Sequence, residues 1–283
     1  MKVTIQNLMK WVAGAVTLTI AVGVSAPVLA ADLTNLVPGR YKTNPVVIGT
    51  TATMPPVESV DTATGKVIGF EADLAYAIGK KLGVKVEIQN VAFDGLLAGM
   101  QSGRFDIAMS GLADTVQRQQ AMDFVDWYVS GVQLIVAKGN PKRVKNLETL
   151  CGLTLGGVRD ATEYRVMQAV AARCTQNTPL IPTENSPAGM ILVKTGRVDV
   201  FCANFPSGAR YVQANPDLEL IPGQFKVVNR GVAFAKTNTQ LRDAWREGLK
   251  AIIESGEYDQ IMERWDAKSA IYKGATINVA TQQ

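Results

Sequence analysis

The chain has 283 residues, with 29 Lys and Arg against 25 Asp and Glu and no histidine. That balance leaves no electrostatic footprint for nucleic acid. The missing imidazole removes histidine-based acid–base catalysis and the commonest metal ligand. The three cysteines, Cys151, Cys174 and Cys202, fit no zinc spacing, so no metal or other cofactor is expected.

At the N-terminus, Lys2 and Lys10 precede an apolar run from Trp11 to Val24 that ends in Ser25-Ala26-Pro27-Val28-Leu29-Ala30. This pattern predicts a secretory signal peptide over residues 1–30. The run falls short of the ~20 apolar residues a spanning helix needs. Release into the periplasm is the expectation, with an uncleaved anchor as the alternative. In that oxidising compartment Cys151 and Cys174 read as a disulfide and Cys202 as a buried thiol; the other reading is three buried thiols.

After the leader, Val46 to Thr51 reads as a buried strand. Gly69 to Gly83 reads as a helix, with Phe70, Leu74, Ile78 and Leu82 on one face and Gly83 as its stop. A strand over Val84 to Gln89, a helix near Gly95 to Gln101 and a strand over Phe105 to Met109 follow. Alternation of this kind predicts an α/β domain with a largely parallel sheet. The grammar restarts after Asn140-Pro141 with a strand over Leu153 to Val158, then a helix presenting Tyr164, Met167, Val170 and Cys174. Gly103-Arg104-Phe105-Asp106-Ile107 recurs as Gly196-Arg197-Val198-Asp199-Val200, an internal echo that supports a second α/β lobe. The plainer reading is that a helix, a Gly stop and a buried strand recur in any such protein.

A strand-like stretch through Gly231-Val232-Ala233-Phe234 precedes two amphipathic helices. Leu241, Trp245, Leu249, Ile252 and Ile253 mark the first, and Tyr258, Ile261, Met262 and Trp265 the second. The expected organisation is residues 31–135 in one lobe, 136–229 in a second, 230–267 returning to the first, and 268–283 as a loosely held tail. Crossings near Gln133 to Lys138 and Lys226 to Ala233 would serve as the hinge.

The order of these pieces resembles the extracellular solute-binding proteins of polar amino-acid ABC transporters, the bacterial family 3. Its landmarks are Val47-Ile48-Gly49-Thr50, Gly65-Lys66-Val67-Ile68-Gly69-Phe70-Glu71-Ala72-Asp73-Leu74, Phe93-Asp94-Gly95-Leu96, Gly103-Arg104-Phe105-Asp106, Arg118, and Asp123-Phe124 before Trp127-Tyr128. The resemblance implies two α/β lobes joined by two hinge strands. It also implies an amino acid or related carboxylate clamped between the lobes, and delivery to a membrane permease.

Carried over position by position, the resemblance implies that Arg118 forks onto the ligand α-carboxylate and that Phe93 walls the ligand side chain. The Ser110-Gly111 pair and the helix-opening Thr162 join them. On the residues alone, Arg118 could be a solvated surface arginine and Phe93 plain core. Thr51, Ala113 and Asn204 stand where the family usually offers Asp, a hydroxyl and Asp, and Met54 replaces an aromatic lid. The ligand ammonium, if there is one, therefore has no assigned anion. Asp114, Asp160 and Glu163 are the candidates, and a ligand without a free amine is the alternative. Arg159 reads equally as a second anion contact or as a surface partner of Asp160 or Glu163. Cyclohexadienyl dehydratases share the fold and motif order, which keeps an enzyme reading in view. No pair of acids is placed by sequence as proton donor and acceptor.

Overall fold

The computed structural model describes residues 32–205 and 207–280, so the signal-peptide reading of residues 1–30 lies outside the described residues. Strand β1 (Val46–Thr50) leads into a small antiparallel sheet of β2 (Thr53–Met54), β3 (Glu58–Val60) and β4 (Val67–Ile68). Helix α1 (Phe70–Leu82), β5 (Val86–Asn90), α2 (Phe93–Gln101) and β6 (Ile107–Ala113) follow, and β1 pairs in parallel with both β5 and β6. Helix α1 stops where expected because Gly83 takes the left-handed conformation, at φ 65°, that a glycine adopts without a steric penalty.

A short helix α3 (Val116–Gln119) precedes the 16-residue strand β7 (Met122–Ala137). Next come β8 (Leu155–Val158), α4 (Thr162–Arg173), β9 (Leu180–Thr183), α5 (Ser186–Lys194) and β10 (Val200–Asn204), with β8 parallel to both β9 and β10. Helix α6 (Ser207–Ala214), β11 (Leu218–Leu220), the long β12 (Phe225–Ala235), α7 (Thr239–Glu254) and α8 (Glu257–Arg264) complete the series. This is the two-lobed α/β fold, with two parallel sheets flanked by helices. The long strands β12 and β7 lie antiparallel between the two sheets and fuse them in the order β5-β1-β6-β12-β7-β10-β8-β9.

Each half has its own core. In the first, Phe70, Leu74 and Ile78 of α1 pack against Trp245 and Leu249 of α7 and Tyr258 of α8. In the second, Leu155, Met167, Val170, Val200 and Cys202 form the centre. Full burial of side chains this size contributes roughly 2 kcal/mol each. Cys151 and Cys174 are bridged, and Cys202 is a free buried thiol. Bridging two residues 23 apart in sequence stabilises the fold by about 3 kcal/mol.

The sequence echo has a structural counterpart. Gly103 and Gly196 both take positive φ, at 76° and 70°, just after α2 and α5. Asp106 then accepts from the Val47 backbone N–H at 2.9 Å, and Asp199 accepts from the Thr154 N–H at 2.8 Å. Each aspartate thus pins the start of the neighbouring parallel strand.

The C-terminal segment departs from expectation, because residues 271–280 form a strap along β7 rather than a loose tail. Tyr128 bridges Ile271 and Val125 bridges Ile277. The Phe124 N–H donates to Asn278 Oδ1 at 2.8 Å, and the Ala280 N–H donates to Asp114 Oδ2 at 3.0 Å. Backbone pairing and buried acceptors hold the segment, and neither shows in its composition.

Under the strap, burial and the nearby Asp114 carboxylate push Asp126 up to about 7. Between the ordinary aspartate value of 3.8 and about 7 the folded state holds a proton that the unfolded state has released. Stability therefore falls as pH rises through that window. Asp126→Asn removes the titrating carboxyl and leaves a neutral side chain beside Asp114. We expect this variant to be more stable than the parent at pH 8, by on the order of 2 kcal/mol, and to lose much of the pH 5 to pH 8 difference in thermal midpoint. A variant less stable than the parent at pH 8, with the pH slope unchanged, would contradict the upward shift of Asp126.

Candidate functional site

The carboxyl ends of β1 and β6 meet the α4 N-terminus and the end of β10 around a cavity of about 140 Å³. Such strand ends are where open α/β sheets hold ligands. Val91, Ala92, Phe93 and Leu112 wall one side, and Val158, Ala161, Cys202 and Ala203 the other. Of the residues singled out from sequence, Thr51, Met54, Phe93, Ser110, Gly111, Arg118, Thr162 and Asn204 all line it.

Arg118 sits in α3, whose start is capped by the Thr115 hydroxyl accepting from the Arg118 N–H at 3.2 Å. The side chain is 6% exposed, not a solvated surface arginine. Nη1 donates to the Ala113 carbonyl at 3.0 Å and to Thr162 Oγ1 at 3.3 Å, and Nη2 reaches the Asp160 carbonyl at 3.5 Å. Asp160 takes φ 60°, which turns that carbonyl toward the arginine. Burial pulls the guanidinium down to about 10, with Glu163 the strongest opposing charge, so it stays cationic at neutral pH. One side chain thus joins groups from both halves of the molecule.

Two sequence candidates lie elsewhere. Ala113 is fully buried and does not line the cavity; its carbonyl serves by holding Arg118. Arg159 is exposed and outside the lining, because its backbone N–H is tied to the Thr183 carbonyl at 2.9 Å and the chain turns its side chain outward.

The structure also adds residues that the sequence reading missed. Arg230, 1% exposed, lines the cavity from the centre of β12, where register shifts on both sides of the strand redirect its side chain. Its Nη1 donates to the Gly111 carbonyl at 2.7 Å and its Nη2 to Glu163 Oε1 at 2.8 Å. A lone arginine ahead of Gly231-Val232-Ala233-Phe234 was the available signal.

Behind the Ser110-Gly111 pair lie two buried acids. Ser110 Oγ donates to Glu58 Oε1 at 2.9 Å, the Gly111 N–H donates to Glu71 Oε2 at 3.0 Å, and Trp127 Nε1 donates to Glu71 Oε1 at 3.2 Å. Burial and the Glu71 charge hold Glu58 well above the carboxylate range. Burial also pushes Glu71 up to about 7, against the Gly111 N–H and Glu58 bonds that lower it. The two acids fix the loop from behind. Gly111 itself, at φ 55°, admits no side chain: a Cβ there would meet Asn204 Nδ2 at 2.9 Å and Met54 Cε at 3.2 Å.

Comparison with known proteins places this arrangement. Residues 46–268 match the model of the bacterial extracellular solute-binding proteins, family 3. The chain belongs to that family. A probable histidine-binding protein of Neisseria gonorrhoeae is 30% identical over 273 residues, covering 93% of this chain and 97% of the relative. Among solved structures, an ancestral arginine-binding protein bound to arginine superposes with a TM-score of 0.73 at 33% identity, covering 78% of this chain and 97% of that one. An ancestral amino acid-binding protein, a precursor of cyclohexadienyl dehydratase, superposes with a TM-score of 0.71 at 28% identity over 78% of this chain and 94% of that one. For this family-3 solute-binding protein, the C-terminal strap after residue 268 lies outside the matched region.

Proposed function

We propose that the chain is the periplasmic substrate-binding component of an ABC importer. It captures an amino acid or related small carboxylate between residues 31–135 and 230–267 on one side and 136–229 on the other, and delivers it to a membrane permease. The observation that carries this reading is the buried guanidinium of Arg118, presented to the cavity with partners from both halves. A planar fork in a site screened from water matches a carboxylate in two parallel hydrogen bonds. Relatives named for histidine and arginine binding support the ligand class. The N-terminal sequence supports cleavage of residues 1–30 and export.

β7 and β12 act as the hinge in this reading. A ligand that touches both halves stabilises the closed arrangement and so shifts the population toward the form the permease recognises. The receptor reading is preferred to a dehydratase because catalysis needs a placed proton donor and acceptor. In the cavity, Glu163 already accepts from Arg230, and Glu184 lies on the exposed rim.

The test is thermal-shift screening of mature protein, unfolded and refolded to strip any bound molecule, against amino acids, keto acids and dicarboxylates. A ligand at 100 times its Kd adds ~2.7 kcal/mol of stability. Stabilisation by one of these classes is the expected result, and none across the whole panel would contradict the proposal.

A further inference from the structure

Resting on the receptor reading above, we propose that Glu163 recognises the α-ammonium of an amino-acid ligand, held in position by Arg230. In an α-amino acid a single carbon separates the ammonium from the carboxylate, so whatever anchors the ammonium must stand close to Arg118. An ammonium enclosed away from water needs an anionic or multiply hydrogen-bonded partner.

The geometry narrows the choice to one acid. Asp114 is turned away from the cavity, where it accepts from Gln119 Nε2 at 2.8 Å and from the Ala280 N–H at 3.0 Å. Asp160 is exposed and offers Arg118 only its backbone carbonyl. Glu58 stands behind Ser110 and does not line the cavity. Glu184 lines it from the exposed rim, and Asn204 at the end of β10 is uncharged. Glu163, 7% exposed, lines the cavity directly after Thr162, whose hydroxyl Arg118 already reaches.

Its two oxygens have different surroundings. Oε1 accepts from Arg230, whereas among the described residues no hydrogen bond is made to Oε2. The ion pair therefore fixes the carboxylate and leaves an acceptor for the ligand. With an amino acid in place, charge alternates along one line: Arg118, ligand carboxylate, ligand ammonium, Glu163, Arg230. Glu163 also stands in the first turn of α4, at the end of the helix that carries partial positive charge.

The probes are the proteinogenic L-amino acids and their 2-oxo acid analogues, titrated calorimetrically into refolded protein. The parent protein should bind its best amino acid at least about 10-fold more tightly than the matching 2-oxo acid. In Glu163→Gln the amino acid should weaken by about 100-fold while the 2-oxo acid stays within about threefold, so selectivity for the amine collapses. Glu163→Gln leaves Arg230 without its partner, so the double variant Glu163→Gln/Arg230→Gln repeats the measurement with no lone buried charge and should show the same collapse. Equal affinity of the parent for both classes, or full amine selectivity retained in either variant, would overturn the assignment. Failure of every amino acid and every 2-oxo acid to bind the parent would overturn the receptor reading and this assignment with it, a result distinct from lost amine selectivity.

Discussion

Arg118→Ala should abolish ligand binding while leaving the fold intact. The carboxylate would lose a bidentate, charge-assisted partner inside a water-poor cavity, at a cost of several kcal/mol, or at least about 1,000-fold in affinity. Folding should be spared because α3 is capped through the backbone N–H of residue 118 and the Thr115 hydroxyl, neither of which the substitution removes. Arg118→Lys should fail nearly as badly. A single ammonium cannot hold the Ala113 carbonyl and Thr162 hydroxyl and also present a flat pair of donors to the ligand. Calorimetric titration on both variants reads the effect, and unchanged affinity in the alanine variant would remove Arg118 from the site.

The second large effect concerns stability. Arg230→Met should destabilise the unliganded protein by about 3–5 kcal/mol, since it strands the Glu163 carboxylate and frees the Gly111 carbonyl in the interior. Removing both charges together, in Arg230→Met/Glu163→Gln, should recover most of the loss, because the cost lies in the unpaired charge rather than in the absence of the pair. Denaturant unfolding of the parent, the two single variants and the double gives the coupling directly. A loss under about 1 kcal/mol in Arg230→Met would mean that the pair is solvated and not buried.

Much of the fold was legible because local patterns carried it. The face of Phe70, Leu74 and Ile78 and the stop at Gly83 are written in neighbouring residues, and the structure keeps both. Strand ends located Ser110, Gly111 and Asn204 at the cavity for the same reason, since loops that follow parallel strands converge on one crevice.

What stayed hidden depends on partners far away in sequence. Strand β7 runs unbroken through Ser130-Gly131. The Ser130 hydroxyl finds Asn204 Oδ1 at 2.6 Å, and Gly131 accommodates the close approach of Phe225. The strap is short and carries no helical or strand periodicity, and its order comes from Asp114, Asp123 and Phe124 more than 150 residues earlier. Arg230 and Glu163 find each other only once β12 and α4 are assembled, so no spacing rule links them. Arg159 read equally as an anion contact or a surface residue; it is exposed, and it is the Asp160 carbonyl, at a left-handed turn, that reaches Arg118.

A transport receptor captures its small amino-acid carboxylate in this cleft and releases it unchanged. The most direct measurement is small-angle scattering of the refolded protein with and without its best-binding amino acid, followed by mass spectrometry of the recovered molecule. The complex should have a smaller radius of gyration, and the same molecule should be recovered intact at one per chain. Tight binding without compaction, or recovery of a dehydrated or otherwise altered product, would contradict the receptor reading.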